Sequence, residues 1–208
     1  MSDFTSAKIE LIFPHPFLRH TWSDSAALNA ELRRAILAEE RRSVGSKKSN
    51  SGGWHSDAGQ LEFCGAAGRT ILDRAAQLTN HATTQVFQGY GHEAQSFGWT
   101  VQAWANVNRQ GNFNRVHNHP GSTWSGTYYI DTGMAEGRHE TTPLSLFDPC
   151  QARASTFFPS TVPNFIYIAP EPGLMVLFPS YIQHMVTPHK GSEIRISIAF
   201  NLRKEPFP

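Results

Sequence analysis

The sequence predicts a mainly β fold, a jelly roll with two N-terminal helices packed on one of its sheets. Two segments in the first 95 residues have apolar residues at helical spacing. From about residue 96 onward, short β-type segments follow one another at nearly even spacing, which is typical of an antiparallel sandwich or barrel. With 208 residues, we expect one domain, 1–208, consisting of a helical N-terminal elaboration, 1–95, and a jelly-roll core, 96–202.

The N-terminal part begins with a short strand-like run at 8–14 and continues with two helical segments. The first helix is predicted over 23–42, where the residues at helical spacing are Leu28, Leu32, Ile36 and Leu37. Residues 43–59 are rich in glycine and serine and are expected to form a loop. Helical spacing returns over 65–87.

Eight segments of the second part have strand character, separated by turns that contain Gly, Pro, Asn or Asp. They are 96–107, 113–119, 123–130, 143–148, 164–169, 173–179, 183–188 and 193–202. No helix-length gap separates them, so a parallel α/β sheet is not expected.

The last of these segments has two different faces. Four apolar residues alternate with polar ones, namely Ile194, Ile196, Ile198 and Phe200. If this face packs against the helices, Arg195 and Ser197 point into the barrel, where a guanidinium needs an anion because an unpaired buried charge is costly. The alternative is a polar face on a sheet with one solvated side.

Composition argues against two classes of partner. The chain has 18 Lys and Arg against 17 Asp and Glu, without a basic stripe, so there is no electrostatic case for nucleic acid. No apolar run approaches the roughly 20 residues of a membrane span, and no secretory signal precedes the first helix, so a cytoplasmic location is expected.

Cys64 and Cys150 are far apart in sequence and are expected to be ordinary packed thiols.

Three histidines form a candidate metal site. His117 and His119 are two residues apart on an extended segment, so both imidazoles project to one side and can chelate a metal. Such a pair also arises by chance in a chain with ten histidines, so a third ligand is required. His184 is the candidate because it follows an apolar strand and a Pro-Ser turn, and Arg195 and Ser197 come eleven and thirteen residues later.

From roughly residue 96 to 202 the chain resembles the iron(II)/2-oxoglutarate-dependent dioxygenase superfamily, whose fold is the double-stranded β-helix. Four segments carry the resemblance, and they are similar to a bacterial and phage branch of these oxygenases; they are 50–56, 112–130, 173–188 and 193–201. The resemblance implies that His117, His119 and His184 are the iron ligands. It also implies that three residues bind 2-oxoglutarate, namely Arg195, Ser197 and the strand tyrosine Tyr129.

This sequence departs from the superfamily at one ligand. His119 stands where the wider superfamily has Asp or Glu, so the implied metal site has three neutral imidazoles and no carboxylate. We therefore keep three hypotheses. The first is a non-haem Fe(II)- and 2-oxoglutarate-dependent oxygenase that hydroxylates a small molecule or a protein side chain, with a homodimer compatible with its apolar content. The others are a cupin-like three-histidine dioxygenase without 2-oxoglutarate and a non-enzymatic metal-binding jelly roll.

Some residues outside this set have two interpretations. Four polar or aromatic residues either line the open side of the site or pack at the end of a sheet, namely Gln102, Trp104, Asn106 and Asn114. Trp54, His55 and Ser56 either form a lid or anchor a surface loop. His189 lies in a turn and is expected to be exposed to solvent.

Overall fold

The computed structural model describes residues 14–134, 142–150 and 164–205. Its helices are α1, Ser25–Arg42, and α2, Gly65–Gly89, with a short 3-10 turn at Glu62–Cys64. The strands are β1 Leu18–Thr21, β2 Asn50–Ser51, β3 Trp54–His55, β4 Trp99–Asn108, β5 Phe113–His117, β6 Trp124–Thr132, β7 Leu144–Phe147, β8 Phe165–Ile168, β9 Leu174–Pro179, β10 His184–Val186 and β11 Arg195–Lys204.

The strands form two antiparallel sheets that face each other as a double-stranded β-helix. The major sheet has the order β1-β9-β6-β11-β4-β3, and the minor sheet has the order β2-β5-β10-β7-β8. Neighbours in each sheet are distant in sequence, as in the pairing of β11 with both β4 and β6. The long-range pairing brings the C-terminal strand to the middle of the major sheet.

Both helices cover the outer face of the major sheet. The apolar face of β11 is buried there, with Ile198 fully inaccessible, and it belongs to the same cluster as Leu32 of α1 and Ile71 of α2. The hydroxyl of Tyr128, on β6, donates a hydrogen bond to Asn29 of α1 at 2.6 Å. A second, smaller cluster lies between the two sheets. The major sheet is therefore buried on both faces, and its inner face is available for a site.

The predictions of fold and of long elements are confirmed. Both helices and all eight predicted strands occur in the predicted order, and the polar face of β11 points into the barrel. Three short strands were not predicted. The four residues of β1 show no apolar alternation, and β2 and β3 have only two residues each, too few to carry a periodicity. The predicted strand at 8–14 lies outside the described residues except for its last residue.

The prediction of two packed thiols is half wrong. Cys64 is buried beneath α1 and α2, and burial raises its pKa to about 12. Cys150 is exposed, because it lies in the turn after β7, where its backbone N–H donates to the Asp148 carboxylate at 2.9 Å.

Across the described ranges, neither helix is both long and apolar enough to cross a membrane.

Candidate active site

Two strands of the minor sheet and the loop that follows one of them bring the three histidines together. His117 ends β5 and His184 begins β10, and these two residues are direct cross-strand partners. His119 lies in the following loop, where its backbone N–H donates to the Ser180 carbonyl at 3.0 Å. One ring nitrogen of each histidine lies within 4.8 Å of the others. This separation suits three imidazoles that face one ion.

Backbone carbonyls fix which nitrogen of two rings is free. The Nδ1 of His117 donates to the carbonyl oxygen of Arg115 at 2.6 Å, and the Nδ1 of His184 donates to that of Ile182 at 3.0 Å. Since a carbonyl only accepts, both Nδ1 atoms carry the proton and both Nε2 atoms carry a lone pair. A histidine that binds a metal through one ring nitrogen typically donates a hydrogen bond from the other.

The surroundings keep the three rings neutral. Burial, reinforced by the neighbouring histidines, lowers the pKa of His119 to about 4 and that of His184 to about 3. Burial also lowers the pKa of His117, despite the opposing hydrogen bond to Arg115. All three imidazoles are therefore unprotonated at pH 7, which is the form that binds a metal.

Arg195 is a buried cation without an ion-pair partner. Only 2% of the residue is exposed, its Nη1 donates to the Ser197 hydroxyl at 3.2 Å, and its guanidinium lies 5.4 Å from the centre of the Tyr129 ring. Its Nε has no hydrogen-bond partner, and no carboxylate in the described part of the chain pairs with it. Burial accordingly lowers its pKa. A buried guanidinium in this state requires an anion.

The neighbouring hydroxyl of Tyr129 is also buried without a partner. Burial raises the pKa of Tyr129 to about 12, although the charge of Arg195 opposes this shift. The hydroxyl is therefore protonated at neutral pH and can donate a hydrogen bond to the same anion.

One cavity between the sheets, here called the inner cavity, is lined by all six predicted site residues. The minor sheet and its loop contribute the three histidines, whereas the major sheet contributes Tyr129 from β6 and Arg195 and Ser197 from β11. Trp104 contacts His119 at a ring distance of 5.6 Å and pairs with Ala199, four residues along β11 from Arg195. Four strand residues span about 14 Å, so the backbone of Arg195 is set back along β11 from Trp104 and the histidine that it contacts.

A second cavity, here called the outer cleft, opens on the other side of the histidines. It has a volume of about 640 Å³ and shares Trp104, His117 and His119 with the inner cavity. The candidate metal site therefore lies between the inner cavity, which holds Arg195 and Tyr129, and a cleft open to solvent.

The structure shows where the four polar or aromatic residues with two interpretations lie. Trp104, Asn106 and Asn114 line the inner cavity, and Gln102 lines the outer cleft, so these residues belong to the site and not only to the end of a sheet.

In the glycine-rich loop, Trp54 is an anchor, since it is buried and its indole N–H donates to the Ser43 carbonyl at 2.9 Å. Ser56 also fixes this loop, because its hydroxyl accepts the backbone N–H of Ala105 at 3.0 Å. His55 lines the outer cleft, where it stacks on Trp104 at 5.4 Å. The loop therefore forms a wall of the cleft.

The prediction that His189 is exposed is wrong. His189 is 2% exposed, its Nε2 donates to the Glu193 carbonyl at 2.9 Å, and its Nδ1 accepts from the Thr142 hydroxyl at 2.7 Å. The turn folds back on the segment after β6, where Gly133 has a φ of 69° and leaves no room for a side chain beside the imidazole. Sequence reasoning also missed Lys48 and Arg115 in the outer cleft, because nothing in the sequence places them together.

Comparison with known proteins agrees with this geometry. Residues 102–201 match the model of a family described as "Putative 2OG-Fe(II) oxygenase". No curated protein matches the sequence.

Among solved structures, a prolyl-4-hydroxylase from Pseudomonas putida is 16% identical, with a TM-score of 0.56, and the match covers 92% of this chain and 94% of that one. A prolyl hydroxylase from Trichoplax adhaerens, in complex with a hypoxia inducible factor peptide, is 14% identical, with a TM-score of 0.60 and coverage of 90% and 83%. A viral collagen prolyl hydroxylase from Paramecium Bursaria Chlorella virus-1, in complex with 2OG, is 14% identical, with a TM-score of 0.51 and coverage of 89% and 94%. At these identities, the likeness establishes the fold.

Proposed function

We propose that this protein is a 2-oxoglutarate-dependent oxygenase whose iron is held by His117, His119 and His184. The match of residues 102–201 to the 2OG-Fe(II) oxygenase family model supports this proposal. The observation that carries the proposal is Arg195, a buried cation without a carboxylate partner that lines the same cavity as the three histidines. A dicarboxylate that reaches the metal with one end and the guanidinium with the other satisfies both groups.

The donor set of the three histidines fits a first-row transition metal. The imidazoles are neutral at pH 7, and two of them present Nε2 because their Nδ1 atoms are bonded to carbonyls. When bound, Fe(II) with O₂ would supply the oxidising chemistry, in which 2-oxoglutarate becomes succinate and CO₂ while one oxygen atom enters a substrate C–H bond.

The residues of the major sheet bind and orient the co-substrate. The guanidinium of Arg195 offers a planar fork that suits a carboxylate, and its bond to the Ser197 hydroxyl holds it in place. The protonated hydroxyl of Tyr129 is available as a further donor. Burial of this end of the cavity excludes water, so each of these hydrogen bonds is stronger than it is at the surface.

Among the described residues no carboxylate joins the three histidines, and this is compatible with the assignment. A divalent ion bound by three neutral imidazoles keeps its full charge, and an anionic 2-oxo acid offsets that charge when it binds. A three-histidine dioxygenase that uses no 2-oxoglutarate leaves Arg195 buried without an anion, so the geometry favours the 2-oxo acid. Hydroxylation is the proposed outcome, in keeping with the prolyl hydroxylases that share the fold.

Calorimetry and a turnover assay test the proposal. Purified protein loaded anaerobically with Fe(II) is expected to bind 2-oxoglutarate and, after O₂ is added, to release succinate slowly even without a substrate. Changing both His117 and His184 to alanine is expected to abolish metal binding and succinate release. Arg195→Gln is expected to lose 2-oxoglutarate binding but to keep the metal, whereas Arg203→Gln, at an exposed position on the same strand, is the matched control and is expected to keep both. Lack of 2-oxoglutarate binding by the metal-loaded protein would refute the proposal.

A further inference from the structure

The outer cleft contains two cations that the proposed reaction does not use. Lys48 and Arg115 both line it, together with the two histidines that it shares with the inner cavity. No acidic side chain of the described residues lines the cleft, and neither cation forms an ion pair within the described ranges. The open side of the candidate metal site therefore has a positive wall.

Local structure holds these two residues next to each other. The backbone N–H of Arg115 donates to the Ser49 carbonyl at 2.9 Å, and its Nη2 donates to the carbonyl of Lys48 at 3.2 Å. The pairing of β2 with β5 fixes the register between the two segments. Two like charges that line the same cleft repel each other, and an anion bound by both offsets that repulsion.

The opposite wall of the cleft suits the rest of an organic molecule. Trp104 and His55 are stacked there, with ring planes 13° apart. The Nδ1 of His55 donates to the Ser56 carbonyl at 2.5 Å, so its Nε2 is left as an acceptor. The cleft thus combines an aromatic wall, a neutral acceptor and two cations around a volume of about 640 Å³, which suits a small molecule.

We propose that the oxidised substrate is a small organic acid whose carboxylate or phosphate group is bound by Arg115 and Lys48 in the outer cleft. This inference rests on the proposed function, because it assigns the cleft beside the three histidines to the substrate. It excludes a neutral substrate, for which two adjacent unpaired cations offer no binding partner.

Binding of matched probes to the metal-free protein tests the substrate class. Hippurate carries an aromatic ring and a carboxylate, hippuramide is its uncharged amide, and phenyl phosphate represents the phosphate group. We expect hippurate or phenyl phosphate to bind at least about tenfold more tightly than hippuramide at low salt, measured from the chemical shift of the Trp104 indole N–H. The stronger of the two anions identifies the acidic group.

Two pairs of variants assign the preference to the cleft. The double change Lys48→Gln with Arg115→Gln is expected to remove it, whereas Lys47→Gln with Arg34→Gln, which neutralises two exposed cations elsewhere, is expected to leave it unchanged. Every titration is repeated with Arg195→Gln, because the inner cavity also attracts anions. Equal binding of acid and amide, or a preference that survives in the Lys48 and Arg115 variant, would overturn the inference.

These titrations use neither iron nor turnover, so their failure is distinguishable from failure of the proposed function. Loss of the anion preference with intact 2-oxoglutarate binding would refute only the substrate class. Absence of 2-oxoglutarate binding in the metal-loaded protein would refute the oxygenase proposal itself.

Discussion

At the scale of single residues, Arg195 is a buried cation whose proposed role in binding 2-oxoglutarate comes at a cost to the fold. It is 2% exposed and lacks an ion-pair partner among the described residues. We predict that Arg195→Met increases the free energy of unfolding of the ligand-free protein by about 1–3 kcal/mol, because it removes an uncompensated buried charge. Urea denaturation measures this change.

The same variant is expected to lose 2-oxoglutarate binding, as measured by calorimetry. Arg203→Met is the control, and a change at this exposed site should stay within about 0.5 kcal/mol. A lower free energy of unfolding in Arg195→Met would contradict this prediction, because it would mean that contacts within the protein already compensate the buried charge.

The three histidines predict how stability depends on pH. The pKa of each is lowered in the folded protein, to about 4 for His119 and about 3 for His184, from the ordinary value of 6.5. The unfolded chain therefore binds more protons below pH 6.5, so the metal-free protein should lose stability progressively as the pH falls from about 6.5 toward 4. Chemical denaturation at several pH values measures the slope.

Glutamine at all three positions is expected to flatten this dependence, because glutamine does not titrate. His81→Gln, on the outer surface of α2, is the control and should leave the slope intact. An unchanged slope in the triple variant would show that other groups govern acid unfolding.

At the scale of secondary structure, β11 separates the two roles of the chain by its faces. Ile198 is fully buried under the helices, whereas Ser197 lines the cavity and accepts a hydrogen bond from Arg195. We predict that Ile198→Ala costs about 2–5 kcal/mol of unfolding free energy, through lost burial and a cavity. Thermal and chemical denaturation measure this loss.

Ser197→Ala is the comparison within the same strand, and it is expected to weaken 2-oxoglutarate binding while changing stability much less. A large loss of stability in Ser197→Ala with unchanged binding would contradict the division of roles between the two faces.

The elements that could be predicted from the sequence are those in which buried residues recur at a regular spacing. The alternation in β11 and the helical spacing in α1 extend over many residues, so the periodicity is visible without the fold. The pairing of β2 and β3 depends on distant partners, Asn114 and Val107, and His189 is buried by a segment more than 40 residues away. Contacts of this kind leave no local pattern, which is why the outer cleft was also missed.

At the scale of the whole molecule, the site joins the two sheets. The candidate metal ligands lie on the minor sheet and its loop, whereas the groups proposed for 2-oxoglutarate lie on the major sheet. A co-substrate bound to both should therefore stabilise the complete fold. We predict that 2-oxoglutarate at about 100 times its Kd adds about 2.7 kcal/mol to the metal-loaded protein, which corresponds to a rise in Tm of about 5–10 °C.

Thermal unfolding of the metal-loaded protein measures this rise in Tm, and succinate serves as the control because it lacks the 2-oxo group. An equal rise with the metal-free protein would contradict binding across both sheets.

The sequence predicted the members of this site but not its layout. The spacing of His117 and His119 indicated a chelating pair, and the resemblance to a superfamily supplied the role of Arg195. The division of the residues between facing sheets follows from strand pairing across more than 60 residues, as in the partnership of His117 with His184. Pairing at that distance is a property of the folded chain.

The placement of the candidate metal ligands and of Arg195 on facing sheets also predicts which acid the protein accepts. Packed β-sheets hold a nearly fixed separation of about 10 Å, so the reach from the histidines to Arg195 cannot adjust to its occupant. A 2-oxo diacid must therefore have the right number of carbons. We expect oxaloacetate, one methylene shorter, and 2-oxoadipate, one methylene longer, each to bind at least about tenfold more weakly than 2-oxoglutarate, as competition calorimetry will measure.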